Sequence, residues 1–243
     1  MDLRKLFIAE VLPKVAKRLA EQKLLKSTYS YEKGYLAEAD LFVHEYITSR
    51  IHEQFPNSLI YSEEGNHTFT DEPKKDTEVW ILDPICGSTN FIKNIPFYVH
   101  SLSIMDKDGV LYAGIYDVNR DELFLGDRQV TTLNGQHVGV SETQKLEEAL
   151  VSVNCNQSAW KRDTISIAHL VKTYAPPITR RLHILESANL ELAYVACGRL
   201  DAYVNPEDKI WDIAAGSLMI SSAGGTTEIL QGTLFDLNQC RGI

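Results

Sequence analysis

Long hydrophobic runs are missing from this 243-residue chain, and no stretch approaches the roughly 20 apolar residues of a membrane helix. No membrane partner is therefore expected. Paired cysteines are missing too. Cys86, Cys155, Cys197 and Cys240 are widely spaced and contain no Cys-x-x-Cys, which argues against a zinc ribbon or a dithiol redox motif. A reducing, cytoplasmic compartment is the simpler expectation. Nor is there a concentrated basic segment. The net charge is −9 with both signs interspersed, so no nucleic-acid partner is expected. Repeats and low-complexity tracts are absent. What the chain does have is 44% hydrophobic residues, enough for a substantial core in one large domain or two intimately packed halves.

Between Met1 and Lys23, residues Leu3, Phe7, Ile8, Val11, Leu12, Val15 and Leu19 recur at helical spacing with Lys and Arg between them. That interrupted pattern predicts an amphipathic packing helix, kinked or broken at Pro13, and not a signal peptide. A second helix is predicted from about Glu38 to Gln54, then a short strand over Ser58 to Ser62 and a polar surface loop over Asn66 to Glu78. Val79 to Leu82 reads as a buried strand delivering Asp83 at its end. Three β runs follow between Tyr98 and Phe124, divided by Asp108-Gly109 and Asn119-Arg120-Asp121, and Asn134-Gly135 marks another tight turn. The remainder alternates. Strands are predicted at Val151–Asn154, Arg181–Ile184 and Asp201–Val204, and helices at Ala159–Tyr174, Ser187–Cys197 and Ile210–Ala223. Gly198 and Gly224-Gly225 provide helix stops. The pattern suits alternating layers of helices and sheets in a mixed α/β fold.

Chemistry gathers at three places. Glu63 follows one predicted strand, Asp83 follows another within Asp83-Pro84-Ile85-Cys86-Gly87-Ser88-Thr89-Asn90-Phe91, and Asp212 lies in Trp211-Asp212-Ile213-Ala214-Ala215-Gly216. Carboxylates at strand ends suit hard cations such as Mg²⁺, which prefer oxygen. Pro84 fixes the backbone after Asp83 and could turn the Ile85 carbonyl toward the same place. Gly87-Ser88-Thr89 could open a helix and present amides and hydroxyls to a phosphate. Taken singly, each residue has a local explanation: Glu63 as a solvated strand-end charge, Asp83 as a turn residue, Asp212 as a helix cap.

Together these segments resemble the inositol monophosphatase family, part of the lithium-sensitive, magnesium-dependent phosphatase superfamily. The family pattern Asp-Pro-Ile/Leu-Asp-Gly-Thr/Ser-Thr-Asn-Phe is met from Asp83 to Phe91 except at Cys86, and Trp80-Ile81-Leu82 precedes it as an apolar strand. Trp211 to Gly216 matches the partner motif unaltered. Ala223-Gly224-Gly225, the pair Glu63-Glu64 and the segment Glu38-Ala39-Asp40 follow the family order.

The resemblance implies a layered α/β/α/β/α sandwich of the inositol monophosphatase and fructose-bisphosphatase type. Residues 1–145 would form a metal- and phosphate-binding α+β half, and residues 146–243 an α/β half carrying the substrate pocket and Asp212. It implies Mg²⁺-dependent hydrolysis of a small phosphate monoester, with Mn²⁺ as an alternative cation and Li⁺ as an inhibitor. It also allows a homodimer. Glu63, Asp83 and the Ile85 carbonyl would hold the metal that activates water. Asp83 and Asp212 would reach a second metal, at the position where Cys86 replaces a ligand. Ser88, with Glu63, would orient the water, while the Gly87 and Ser88 amides, with Thr89, would hold the phosphate. Ser187, Ala188 and Asn205 match positions lining the substrate-alcohol pocket, which Asp212 also borders.

Three departures stand out. Cys86 replaces an Asp, and it reads as a small buried side chain, a weakened second-metal site or a thiolate ligand for a softer cation. Gly34 and Ala37 stand where Asp and Thr are common, so a third metal near Asp40 is not expected. Asn205 stands where animal inositol phosphatases carry an acidic substrate contact. The leading substrate class is inositol monophosphate or a similar polyol or sugar phosphate. A fructose-bisphosphate or nucleotide-bisphosphate phosphatase is an alternative, the nucleotide option being disfavoured by Thr89-Asn90 where those enzymes carry Lys-Glu. A catalytically weakened homologue with a binding or regulatory role is the reading from a different class.

Overall fold

The structure is a computed structural model, and it describes residues 2–22, 27–30, 34–65, 78–154, 167–206 and 208–228. Helix α1 spans Leu3–Ala20, capped by the Asp2 carboxylate on the Arg4 amide at 2.8 Å. It continues through Pro13, so of the kink or break expected there, the break does not occur. Proline removes one backbone bond there, but Ile8, Leu12 and Val15 on either side are fully buried and hold both halves against the sheet. After the short pair β1 (Ser27–Ser30) and β2 (Gly34–Ala37), helix α2 runs over Glu38–Gln54, ending before Pro56 as its sequence dictates. The expected surface loop at 66–77 and the expected helical start at 159–166 lie outside the described residues.

The main sheet has seven strands in the order β3 (Leu59–Ser62), β4 (Val79–Cys86), β5 (Val99–Asp106), β6 (Gly109–Asp117), β7 (Glu122–Asp127), β8 (Thr131–Leu133) and β9 (Gln136–His137). Only the β3–β4 pair is parallel. The Asn134-Gly135 turn between β8 and β9 has positive φ at both residues, as its sequence demands. Strand β4 is buried on both faces, and its side chains alternate between two cores. Trp80 and Leu82 pack with Phe7, Ile8 and Val43 of α1 and α2. Val79 and Ile81 pack on the opposite face, with Leu190 and Leu192 of α5 (Ala188–Ala196) and Ala214 and Leu218 of α6 (Ile210–Ser222).

A second sheet, ordered β11 (Arg181–His183), β10 (Leu150–Val153), β12 (Ala202–Val204), is wholly parallel. Val151 and Val153 pack with Leu170 of α4 (Ile167–Tyr174), while Leu150 and Tyr203 pack toward the α5 side. The period of two in β10 thus serves two layers. The resulting order is helices α1 and α2, the large sheet, helices α5 and α6, the small sheet, and helix α4. This is the layered α/β/α/β/α sandwich expected.

Candidate active site

Asp83 does not end its strand. Strand β4 continues to Cys86, and the pairing with β5 explains how. Asp83 faces Ser101 and Cys86 faces Val99, so three steps along β4 oppose two along β5. One extra residue is inserted, which is a β-bulge. Pro84, which has no N–H to give, falls inside it. In a regular strand Asp83 and Cys86 would point to opposite faces. The bulge turns both toward α5 and α6, and sends Ile85 into the α1/α2 core. His100 supports the bulge from β5, its Nδ1 lying 2.5 Å from the Pro84 carbonyl. Burial pulls the His100 pKa down to about 4, so the ring is neutral and Nδ1 is the donor.

Gly87 closes the bulge with φ +97°, and a Cβ there would lie 3.0 Å from the Phe97 carbonyl and 3.2 Å from Ser187 Cβ. Glycine is required by both conformation and space. The short helix α3 (Ser88–Ile92) begins immediately afterwards. Ser88 Oγ lies 2.9 Å from the Ile85 carbonyl and 3.0 Å from Asp40 Oδ1, and Asp40 itself is buried in the first turn of α2. Thr89 is exposed in the first turn of α3.

Helix α6 brings the third carboxylate. Asp212 Oδ2 accepts the Lys209 amide at 2.9 Å, so the residue caps its helix and also faces β4. Its ligand oxygen, one from Asp83 and the Cys86 sulfur all lie within 4.8 Å of one another. Glu63 lies just past β3, its amide on the Leu82 carbonyl at 3.2 Å, and its side chain is open to solvent at the mouth of this cluster.

Electrostatically the place is strained in one direction. Burial first, and the Asp212 charge next, push the Asp83 pKa well above the ordinary carboxylate range. Partial desolvation and the charges of Asp83 and Asp212 do the same to Glu63. Asp212 is pushed up to about 6 by burial, partly offset by its bond from Lys209. Burial and the same two aspartates push the Cys86 thiol up, so it stays protonated near neutral pH. Asp83 Oδ1 is buried with no hydrogen-bond partner among the described residues. An orphaned carboxylate oxygen inside a set of mutually repelling acids is what a hard divalent cation relieves, so the residues present fit one.

The other residues singled out in the sequence are placed as follows. Ser187 is buried, its hydroxyl donating to the Cys86 carbonyl at 2.9 Å and its amide to Glu191 at 2.9 Å. Ala188 is buried in the α5/α6 core. Asn205 binds the Tyr203 hydroxyl at 3.1 Å and the Asp208 carboxylate. Sequence reasoning missed the Asp40 bond to Ser88, the His100 brace and above all Asn189. Asn189 and Glu191 interrupt Ala188–Leu192 with polar groups in a helix that is otherwise apolar on every side. Such a helix is buried, and its polar residues then need partners; that signal was available.

A family model described as the inositol monophosphatase family matches residues 5–243. The chain belongs to the inositol monophosphatase family. It is 30% identical over 218 residues to inositol monophosphatase 1 of Xenopus laevis, covering 86% of this chain and 76% of that protein. It is likewise 30% identical over 220 residues to the Nus factor SuhB of Salmonella typhimurium, covering 90% and 80%. Among solved structures, an IMPase from Thermotoga maritima superposes with a TM-score of 0.82 at 27% identity, covering 97% of this chain and 89% of that one. Family membership thus agrees with a phosphatase-type, metal-binding centre, while the relatives include proteins named for two different roles.

Proposed function

We propose that this protein is a divalent-cation-dependent phosphomonoesterase acting on inositol monophosphate or a similar polyol or sugar phosphate. The observation that carries this reading is the buried, unpartnered Asp83 Oδ1, on a residue that also meets Asp212, in a centre that holds the Ser88–Asp40 pair as well. Glu63, Asp83 and the Ile85 carbonyl would hold one cation, Mg²⁺ or Mn²⁺, and Asp212 with Asp83 would border a second position beside Cys86. When bound, such a cation supplies positive charge for the phosphoryl oxygens and lowers the pKa of a water bound to it.

The chain's own residues do the rest. Ser88 Oγ, with its proton engaged by Asp40 or the Ile85 carbonyl, has lone pairs free to accept the proton of an attacking water. Asp40, buried and 3.0 Å from Ser88 Oγ, is placed to take that proton on from Ser88. Glu63 stands at the open mouth and orients the same water from the other side. Gly87 and Ser88, at the start of α3, and Thr89 beside them lie where the phosphate would dock. Ser187 and Ala188 shape the wall behind Cys86, and Asn205 stands toward the alcohol side. Li⁺ would inhibit by competing for the same oxygens, and the protein would work on small molecules in the cytoplasm, as a monomer or homodimer.

Phosphate release from a panel of polyol and sugar monophosphates, with Mg²⁺, Mn²⁺ and Zn²⁺ compared, tests the reading. Turnover with an oxygen-preferring cation supports it, and none with any cation overturns it. Cys86 favours a second reading, in which a weakened enzyme serves as a binding or regulatory protein, a role in keeping with the SuhB-named relatives. Retained cation binding with no turnover on the whole panel would select that reading.

A further inference from the structure

Asn189 lies in the first turn of α5 and is fully buried. Its carboxamide is fixed by partners of opposite kinds. Oδ1 accepts from Ser101 Oγ at 3.1 Å, whereas Nδ2 donates to Asp83 Oδ2 and to the Trp211 carbonyl, each at 3.0 Å. Turning the amide over would set its oxygen against a carboxylate and a carbonyl, two acceptors facing an acceptor. The backbone N–H of the same residue points at Cys86 Sγ, 3.3 Å away. One residue therefore aims donors at two of the three groups around the Cys86–Asp212 position. Asp83 Oδ1, on the other hand, has no such partner.

A donor N–H and a cation compete for the same lone pairs, and the positive end of the N–H dipole repels an approaching cation. We propose that Asn189 and the Cys86 thiol stand in for a second cation, so that this centre takes a single divalent ion on the Oδ1 side of Asp83. Asn189 is then a positioning residue that sets the number of ions. Its hold on Trp211 also ties β4 to the first turn of α6, which keeps Asp212 beside Asp83 without a bridging ion. The inference rests on the cation-dependent reading of the site above, and not on any substrate.

The test is the number of Mn²⁺ ions bound per chain, counted by electron paramagnetic resonance of free Mn²⁺ with full-length protein and no substrate. One ion is expected for the natural sequence. Cys86→Asp should add a second, weak ion, and Cys86→Asp with Asn189→Ala should bind that second ion about tenfold more tightly, as expected for losing one hydrogen bond to a carboxylate. Two ions of similar affinity in the natural protein, or none, would overturn the proposal. So would a second-site affinity in the Cys86→Asp background that removing the Asn189 side chain leaves unchanged. If circular dichroism shows the alanine double variant unfolded, Asn189→Ser replaces Asn189→Ala, and the count on the natural protein decides independently. A chain that binds one Mn²⁺ yet releases phosphate from nothing sinks the enzyme reading and leaves this inference standing.

Discussion

Ser88 Oγ stands 3.0 Å from Asp40 Oδ1, joining the start of α3 to the start of α2. The two residues come from separate segments, and the bond exists because the β4 bulge ends at Gly87 and aims Ser88 at α2. If this pair accepts the proton of the attacking water, Ser88→Ala should lower kcat about a hundredfold or more, with KM little changed. Asp40→Asn should do the same. Single-turnover phosphate release with saturating Mg²⁺ measures both, and near-parental kcat in either variant would remove the pair from the reaction.

Asp83→Asn should abolish turnover while the fold survives. Asp83 borders the proposed cation site, and an amide in its place lowers the charge that would hold the ion. The apo protein should even gain stability, because the substitution relieves repulsion between Asp83, Asp212 and Glu63. A raised thermal midpoint in EDTA together with lost activity is the expected pair of results. Turnover close to that of the parent would rule out the role.

Gly87→Ala should cost both stability and activity. Its φ of +97° and the 3.0 Å approach to the Phe97 carbonyl leave no room for a Cβ. The cost should be about 1–3 kcal/mol in urea unfolding, with α3 and Ser88 displaced. A variant as stable as the parent would show that the turn relaxes freely.

The acidic cluster should cost the metal-free protein stability as pH rises. Asp212 has an ordinary pKa of 3.8 when unfolded and about 6 when folded. Between those values the folded chain holds more protons, so stability is greatest below the lower value and falls as pH climbs through the higher. For Asp212 alone the loss is on the order of 3 kcal/mol, and Asp83 and Glu63 extend it to higher pH. His100, buried and neutral with its pKa pulled down to about 4, works the other way over the same range. The cluster is therefore read from the difference in thermal midpoint between the natural protein and Asp212→Asn. In EDTA that difference should decline from about pH 4 to 7, and Mg²⁺ should flatten the decline. A difference that rises or stays flat over the same range in EDTA would contradict the cluster's electrostatics.

Much of this site could be read in the sequence because its parts are local. Glycine stops, the Asn134-Gly135 turn, the compact apolar run Val79–Leu82 and the two long motifs are all set by near neighbours. The bulge was not legible. Whether Asp83 and Cys86 share a face depends on their pairing with Ser101 and Val99, which belong to another strand. That Asn189 needs partners is legible in its apolar helix, but which partners is not, since Asp83, Ser101 and Trp211 each lie on a different element. Whether Pro13 kinks α1 or breaks it is not legible locally either, because the burial that holds the helix together across it comes from the sheet below.

Cys86→Asp should tighten Mg²⁺ binding and raise phosphate release above that of the natural chain. The substitution puts a hard anionic oxygen beside Asp83 and Asp212, the donor type Mg²⁺ selects, where the thiol is protonated and soft. It also supplies negative charge for a second cation, whose task is to stabilise the leaving oxygen. Two forces oppose the gain. A further carboxylate in a buried acidic cluster raises its neighbours' pKa values, so the benefit should grow with pH and vanish in acid. Asn189 still directs an N–H at Asp83 Oδ2, so the full gain should appear only when that side chain is also removed. A Mg²⁺ titration of phosphate release, run on the natural protein and the Asp variant with the best substrate of the panel, separates the cases. Unchanged or lower activity in a well-folded Cys86→Asp variant would show that the thiol is more than a lost ligand. Activity in the natural protein that appears with Zn²⁺ and not with Mg²⁺ would make the sulfur a ligand in its own right.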